Sequence, residues 1–162
     1  MNTTKDKVLN ITLGKTIKFS NRIKNISIIF VIFSFIGCAS ISYFDQYAYI
    51  QTTSIKVDAL SIMDLAKDDY NIHGKTVQEF QIKLQKVYEY ERNRPKNAIT
   101  LQLWDKLIDT NGHLLGGFIK RWENEQKLGE TYIIEAKKLV YKAFDQIAGL
   151  ESKKIKSSEI SK

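Results

Sequence analysis

The chain has 162 residues, a length that predicts a single domain of ordinary size. It contains 25 Lys and Arg residues against 18 Asp and Glu, a net charge of +7. The sequence has one Cys, which excludes an intramolecular disulfide and says nothing about the redox compartment.

The excess of positive charge lies at the two ends of the chain. Before residue 26 there are six basic residues and one acidic residue, and the Lys-rich tail after Glu151 is also basic. Between Asp45 and Ala148 the counts are equal, at fifteen basic and fifteen acidic residues. A protein that binds nucleic acid is expected to carry its basic surface on the folded domain. The distribution therefore argues against a nucleic-acid partner.

One stretch is far more apolar than the rest, namely Ile26–Cys38 with the sequence ISIIFVIFSFIGC. Its membrane-directed residues are Ile26, Ile28, Ile29, Phe30, Val31, Ile32, Phe33, Phe35 and Ile36. Each favours a bilayer by roughly 0.3–0.6 kcal/mol, so together they contribute about −3 to −5 kcal/mol. Basic residues precede this stretch, and the first charge after it is Asp45. This asymmetry predicts a cytoplasmic N-terminus and an exported remainder.

The stretch has two physical interpretations. A signal peptide has an apolar region of about 7–15 residues followed by small residues at a cleavage point. Ile26–Gly37 fits this length, and Gly37, Cys38, Ala39 and Ser40 are small. A transmembrane helix needs about 20 residues, which the uncharged window Asn25–Phe44 just supplies. A helix buried in a protein core is a third, weaker interpretation.

The residues Phe35-Ile36-Gly37-Cys38 resemble the lipobox of a bacterial lipoprotein precursor, with Phe35 where Leu is usual. The resemblance implies that Cys38 receives a lipid and becomes the new N-terminus after cleavage. It also implies a cell-envelope location, with the domain on the non-cytoplasmic side. Ala39, rather than Asp, resembles lipoproteins sorted to the periplasmic face of an outer membrane where the host has one. The alternative is an uncleaved signal anchor in the inner membrane, with an unmodified Cys38.

The sequence after the apolar stretch predicts helices. A stripe of small and apolar residues predicts a first helix that Gly74 ends; it comprises Ala48, Thr52, Ile55, Ala59, Ile62, Ala66 and Tyr70. Thr76 and Glu79 form a capping-box pattern, which predicts the start of a second helix. Its core positions are Val77, Phe80, Leu84, Val87 and either Tyr88 or Glu91. Pro95 ends that pattern, and the short turn at Gly74–Lys75 predicts an antiparallel hairpin.

Three further helices are predicted. One is predicted over Ile99–Ile108, and another over Leu114–Trp122. The last runs from about Glu130 into the tail, with a core face of Ile133, Ala136, Val140, Phe144 and Ile147. The expected fold is an all-α, antiparallel bundle of four to five helices. The expected division of the chain is a basic segment at 1–25, a signal region or anchor at 26–37, a tether at 38–46, the bundle at 47–151 and a polar tail at 152–162.

Residue patterns typical of catalysis are absent from the sequence. His73 and His113 are the only histidines, and neither has the spacing of a metal ligand. Gly112–Gly117 lacks the Lys-Ser/Thr of a phosphate-binding loop, and no G-x-S-x-G pattern occurs. The sequence therefore predicts no catalytic, cofactor or metal site and no cofactor. Trp104 and Trp122 are expected to be core residues.

Aromatic residues cluster just after the apolar stretch, and they comprise Tyr43, Phe44, Tyr47 and Tyr49. They suit either the headgroup level of a membrane or, for Phe44 and Tyr47, the first turn of the core. The predicted function is that of a small, non-enzymatic, lipid-anchored envelope protein that binds or supports a protein partner. The alternative is a single-pass inner-membrane protein that is a small subunit of a membrane complex. The sequence identifies neither the partner nor the oligomeric state.

Overall fold

Five α-helices make up most of the chain that the computed structural model describes, which comprises residues 44–153, 155–156 and 159–160. They are α1 (Gln46–Asp64), α2 (Tyr70–Arg92), α3 (Ala98–Ile108), α4 (Leu115–Glu125) and α5 (Glu130–Glu151). A short 3-10 helix at Leu65–Lys67 connects α1 to α2. The predicted all-α bundle of four to five helices is therefore confirmed.

Helix α1 packs between α5 and α2, and it contacts α5 the most extensively. Ion pairs join α1 to α5 at Lys56–Asp145 and at Asp64–Lys137. Because the residue number rises along α1 as it falls along α5, these two helices are antiparallel. On the other side of α1, Lys83 Nζ on α2 lies 3.1 Å from Asp58 Oδ2.

The stripe predicted for the first helix is buried as far as Ala66. Ala48, Ala59 and Ala66 are completely buried, and Ile55 and Ile62 lie beside them in the core. Alanine side chains are short, so they let the flanking helices approach closely. The 3.6-residue periodicity therefore identified the correct face of α1.

The predicted boundary between the first two helices is wrong. α1 ends at Asp64, and α2 already begins at Tyr70, so Gly74 lies within α2 and not at a helix end. No glycine in the described part of the chain has a positive φ, which a glycine that ends a helix usually adopts. The N-cap of α2 is Asp69, whose side chain accepts a hydrogen bond from the Asn71 amide, and Thr76 has no capping role.

Tertiary hydrogen bonds hold the connection between α1 and α2. The Tyr70 amide donates to the Gln126 carbonyl, and the Leu128 amide donates to the Ala66 carbonyl, both at 2.8 Å. These bonds tie residues 66–70 to the connection between α4 and α5. Such contacts across 56 or more residues of sequence are invisible to a local pattern, which is why the boundary was misplaced.

The other predicted core residues lie where the sequence places them. Trp104, Trp122, Val140, Phe144 and Ile147 are completely buried. The Trp122 indole Nε1–H donates to the carbonyl oxygens of Asp68, at 3.0 Å, and Gln126, at 3.1 Å. Trp122 therefore fastens α4 beneath the α1–α2 connection and is also a core residue.

Gly116 and Gly117 lie in the first turn of α4, against the loop that follows α3. A Cβ atom on Gly116 would lie 2.1 Å from the Ile108 carbonyl oxygen, and one on Gly117 would lie 1.9 Å from the Gly112 carbonyl oxygen. Both distances are far too short for any side chain. The glycine pair is therefore structural, because it allows α4 to fold back tightly on α3.

The helix directions bring four helix ends together at one end of the bundle. The starts of α1 and α3 lie there with the ends of α2 and α5. Arg94 contacts Asp45, Glu91 and Glu151, and Asn97 contacts Glu91. The described residues all belong to one unit, which spans Ser40–Lys162. Within the described residues, no helix is both long enough and apolar enough to cross a membrane.

Candidate functional site

The residues that carried the sequence-based function all lie outside the described part of the chain. They are Cys38 and the membrane-directed residues Ile26, Ile28, Ile29, Phe30, Val31, Ile32, Phe33, Phe35 and Ile36. Tyr43 also lies outside it. The lipidation site and the anchor therefore remain predictions.

The two histidines have different environments. His113 is exposed. His73 lies in the first turns of α2, where its ring centroid is 6.0 Å from that of Trp122 and its Nε2 atom is 3.4 Å from Asp68 Oδ2. His73 is therefore partly packed against the core and is not located in the turn expected from the sequence. Within the described residues, no group of three or more His, Cys, Asp or Glu side chains could hold a metal ion.

Carboxylates that are close together in the sequence make only local contacts, as a helix cap or in ion pairs with nearby side chains. Asp69 caps α2, and Asp68 faces His73. On α4, Glu123 pairs with Lys120 and Glu125 pairs with Arg121, and all four side chains are about half exposed. None of these carboxylates faces another across an enclosed space, so they do not resemble an acid–base pair.

The most unusual group of side chains is a buried ion cluster, which we call the Arg94 cluster and define as Asp45, Glu91, Arg94 and Glu151. The Arg94 side chain is only 7% exposed, and those of Glu91 and Glu151 are 0% and 2% exposed. Arg94 Nη1 lies 2.8 Å from Glu91 Oε2 and 2.7 Å from Glu151 Oε2. Arg94 Nε lies 3.7 Å from Asp45 Oδ2.

The four members of the Arg94 cluster come from three helix ends and one loop. Asp45 is the N-cap of α1, where its Oδ1 atom accepts hydrogen bonds from the amides of Tyr47 and Ala48. Glu91 lies in the last turn of α2, and Glu151 is the last residue of α5. Arg94, in the loop between α2 and α3, therefore links the ends of three helices.

The start of α3 completes the cluster. Asn97 Nδ2 donates to both the carbonyl oxygen and Oε2 of Glu91, at 2.8 and 2.7 Å. Thr100, in the first turn of α3, is also buried. Buried carboxylates are tolerated when they are paired and hydrogen-bonded. Both carboxylates are paired with Arg94, but Glu91 Oε1 and Glu151 Oε2 have no hydrogen-bond partner of good geometry among the described residues.

Two carboxyl groups of the cluster have pKa values that are shifted in opposite directions. The pKa of Glu151 is raised above its ordinary value by burial and by the neighbouring Glu91 carboxylate, against the lowering effect of Arg94. The pKa of Asp45 is lowered, chiefly because the Tyr90 hydroxyl donates a 2.6 Å hydrogen bond to Asp45 Oδ2. Burial opposes the charge of Arg94, but the nearby Glu91 and Glu151 carboxylates leave its pKa raised overall.

This arrangement fastens helices together and offers little to a ligand. One guanidinium faces three carboxylates, so its positive charge is already neutralised and it is poorly suited to an anionic substrate. The cluster could not be predicted from local sequence, because the two buried carboxylates that face Arg94 belong to different helices. A signal was present in Glu91, which occupies the core face of α2 and lies three residues before an arginine.

A shallow pocket of about 610 Å³ lies over the Arg94 cluster, and Phe44, Tyr90 and Pro95 form part of its lining. Phe44 is 52% exposed and Tyr47 is 54% exposed, so neither begins the core stripe, which starts at Ala48. The interpretation of Phe44 and Tyr47 as core residues is therefore wrong. The physical reason is that the chain enters α1 at the outer edge of the bundle.

The chain matches no protein-family model, no curated protein and no solved structure.

Proposed function

We propose that this protein is a small, non-enzymatic lipoprotein of the bacterial cell envelope, which holds its helical bundle at a membrane surface to bind or support a protein partner. The observation that carries the proposal is the stretch Ile26–Cys38, an apolar run with basic residues before it and a lipobox-like ending. Its transfer free energy of about −3 to −5 kcal/mol directs the chain to a membrane. Cys38 is then the residue that receives lipid.

The architecture of the bundle supports this role. The chain enters the bundle at Asp45, whose side chain caps α1 and contacts Arg94. A bundle fastened at this point by buried ion pairs is well suited to being held by its N-terminal end. The carboxylate pairs before α2 and on α4 give no support to an enzymatic function.

One face of α1 is suited to a protein partner. Ile50 is 50% exposed and Val57 is 63% exposed, and they lie two helical turns apart on the same face. Ser54 and Ser61 are exposed between and beyond them. Apolar residues alternating with small ones allow another helix to approach closely and to bury apolar area.

The anchor is tested by replacing the cysteine in the full-length protein. Cells that express the wild type are labelled with a fatty-acid probe, and the mature N-terminus is measured by mass spectrometry. Cys38→Ala should abolish the label and leave a precursor that retains residues 1–37. Wild-type protein of full length with an unmodified Cys38 thiol would contradict the lipoprotein proposal.

The second candidate is a single-pass inner-membrane protein that acts as a small subunit of a membrane complex. It is favoured by the uncharged window Asn25–Phe44, which has the length of a spanning helix. In this case the chain stays uncleaved, and Cys38→Ala should change neither its length nor its extraction from membranes by detergent. The same experiment therefore separates the two candidates.

The partner surface is tested by Val57→Glu, with Leu139→Glu on α5 as the matched control, since Leu139 is 53% exposed. After cross-linking in native membranes, Val57→Glu should lose a stoichiometric partner that the wild type and Leu139→Glu both retain. Equal recovery from both variants would exclude this face of α1 as the partner surface.

A further inference from the structure

Three of the exposed large apolar side chains form one surface beside the Arg94 cluster. We call it the aromatic patch and define it as Phe44, Tyr47 and Tyr90. The rings of Tyr47 and Tyr90 meet edge to face, with centroids 4.8 Å apart. Phe44 and Tyr90 line the same pocket, together with Pro95. The patch therefore joins the start of α1 to the end of α2.

The aromatic patch is held in place by polar contacts beneath it. The Tyr90 hydroxyl donates to Asp45, which caps α1 and faces the buried Arg94. Tyr90 therefore has a fixed orientation, although its side chain is 37% exposed. A patch that is ordered before it binds loses little conformational entropy on binding.

Two lysines lie beside one part of the aromatic patch. Lys83 and Lys86 line a pocket together with Tyr47 and Tyr90, and Lys83 is paired with Asp58. On the other side of Tyr90, Asp45 and Glu89 line the pocket that contains Phe44. Aromatic rings at headgroup depth with Lys and Arg nearby are typical of protein surfaces that rest on anionic phospholipid.

The position of the patch along the chain identifies its occupant. Phe44 is only six positions after Cys38, and six residues of chain span at most about 20 Å. Lipid on Cys38 would therefore keep the patch close to the bilayer. In the alternative with a spanning helix, the window ends at Phe44 itself, within the patch.

We propose that the aromatic patch docks onto the headgroup region of the membrane that anchors the chain, and so fixes the orientation of the bundle on that membrane. This inference rests on the proposed membrane anchoring. In a docked bundle, the outer face of α1 stays exposed beside the membrane. The far end of the bundle, around α4, points away from the lipid.

The experiment places the photo-reactive residue benzoylphenylalanine at Tyr47 or at Phe44 in the full-length chain. The protein is reconstituted into vesicles of phosphatidylcholine and phosphatidylglycerol and irradiated, and lipid adducts are measured by mass spectrometry. The matched control carries the same residue at Ile72, which is 73% exposed and therefore more accessible than either test position. Ile72 lies about 27 Å from Tyr90 along α2, because each helical residue advances 1.5 Å.

Lipid adducts at Tyr47 and Phe44, with only background at Ile72, would support the docking. Equal adduct yields at all three positions would overturn it. Adducts to a second copy of the chain, in place of lipid, would also overturn it and would identify the patch as a dimer contact.

Flotation of the vesicles separates the failure of docking from the failure of anchoring. Protein that floats with the vesicles but gives no lipid adduct at Tyr47 is anchored without docking, which overturns only this inference. Protein that does not float lacks the anchor, which overturns the proposed function and the docking together.

Discussion

At the scale of single residues, Arg94 has the most demanding environment in the described bundle. Its guanidinium is buried between Glu91 and Glu151, two carboxylates on different helices. Removing one partner of a buried ion pair leaves an uncompensated charge, which costs more than the pair itself contributes. The cost of losing Arg94 should therefore be large, although its ion pairs need not make the fold more stable than apolar packing would.

The first prediction compares two arginines that are two residues apart. Arg94→Met should lower the free energy of unfolding by about 3–5 kcal/mol, since Glu91 and Glu151 would then face each other without a cation. Arg92→Met should cost no more than about 1 kcal/mol, because Arg92 is exposed and makes only a surface pair with Glu89. Urea unfolding followed by circular dichroism measures both. Similar losses for the two variants would contradict the importance of the cluster.

The second prediction concerns pH. A carboxyl group with a raised folded-state pKa stabilises the fold fully below its unfolded-state pKa and loses that contribution as the pH rises through the folded-state value. The pKa of Glu151 is raised in the folded state above its ordinary value of 4.5. From pH 4.5 upward, the wild type should therefore lose stability relative to Glu151→Gln, which does not titrate.

Asp45 acts in the opposite direction and in a different pH range. Its pKa is lowered from 3.8, so its contribution is lost as the pH falls through the folded-state value. The window above pH 4.5 therefore reports mainly on Glu151. Urea unfolding of the wild type and Glu151→Gln across this window provides the measurement, and a stability difference that does not change with pH would refute the prediction.

At the scale of helices, two glycines have very different surroundings, and one of them was predicted to end a helix. Gly74 lies inside α2, and a Cβ atom placed there would meet nothing within 4 Å. A glycine in a helix interior costs roughly 0.5–1 kcal/mol relative to alanine. Gly116 differs, since its Cβ would collide with the backbone of Ile108.

The third prediction is that glycine-to-alanine substitutions at these two positions change the melting temperature in opposite directions. Gly74→Ala should raise the melting temperature, and Gly116→Ala should lower it. Thermal unfolding followed by circular dichroism tests both, with Gly129→Ala as a reference position that is also open. A destabilised Gly74→Ala variant would indicate that the helix does end near Gly74, as the sequence pattern suggested.

Periodicity predicted most of the helical core, because burial on one helix face repeats locally in the sequence. It correctly placed Trp104, Trp122 and Phe144, and it admitted Glu91 as a core position. It failed where distant residues decide the outcome. The break before Tyr70 depends on backbone hydrogen bonds from the α4–α5 connection, and the Arg94 cluster depends on Glu151 at the far end of the chain.

At the scale of the whole molecule, the fourth prediction is that the bundle folds without the preceding segment. The described core is closed by contacts among α1, α2, α3 and α5, which all begin after residue 44. A fragment that spans residues 44–156 should therefore be mostly helical by circular dichroism and unfold cooperatively in urea. A spectrum dominated by strand, or a gradual unfolding curve, would contradict this expectation.

The anchor and the fold were predicted from different kinds of information. The apolar composition of Ile26–Cys38 is enough to predict that this stretch is directed to a membrane, and no tertiary contact is needed for that prediction. The aromatic residues beside it needed the structure, since only the burial of Ala48 and the exposure of Tyr47 show that Tyr47 faces outward. The buried cluster beneath Tyr90 was not foreseen at all.

The pairing of α1 with α5 also bears on the order in which the chain can fold. Lys56 meets Asp145 and Asp64 meets Lys137, contacts that join residues 89 and 73 positions apart. During synthesis, the apolar face of α1 therefore stays partly uncovered until the last helix has been made. This order of folding is compatible with the export proposed above, because a loosely folded chain can pass through a narrow translocation channel and close its bundle once Glu151 has followed.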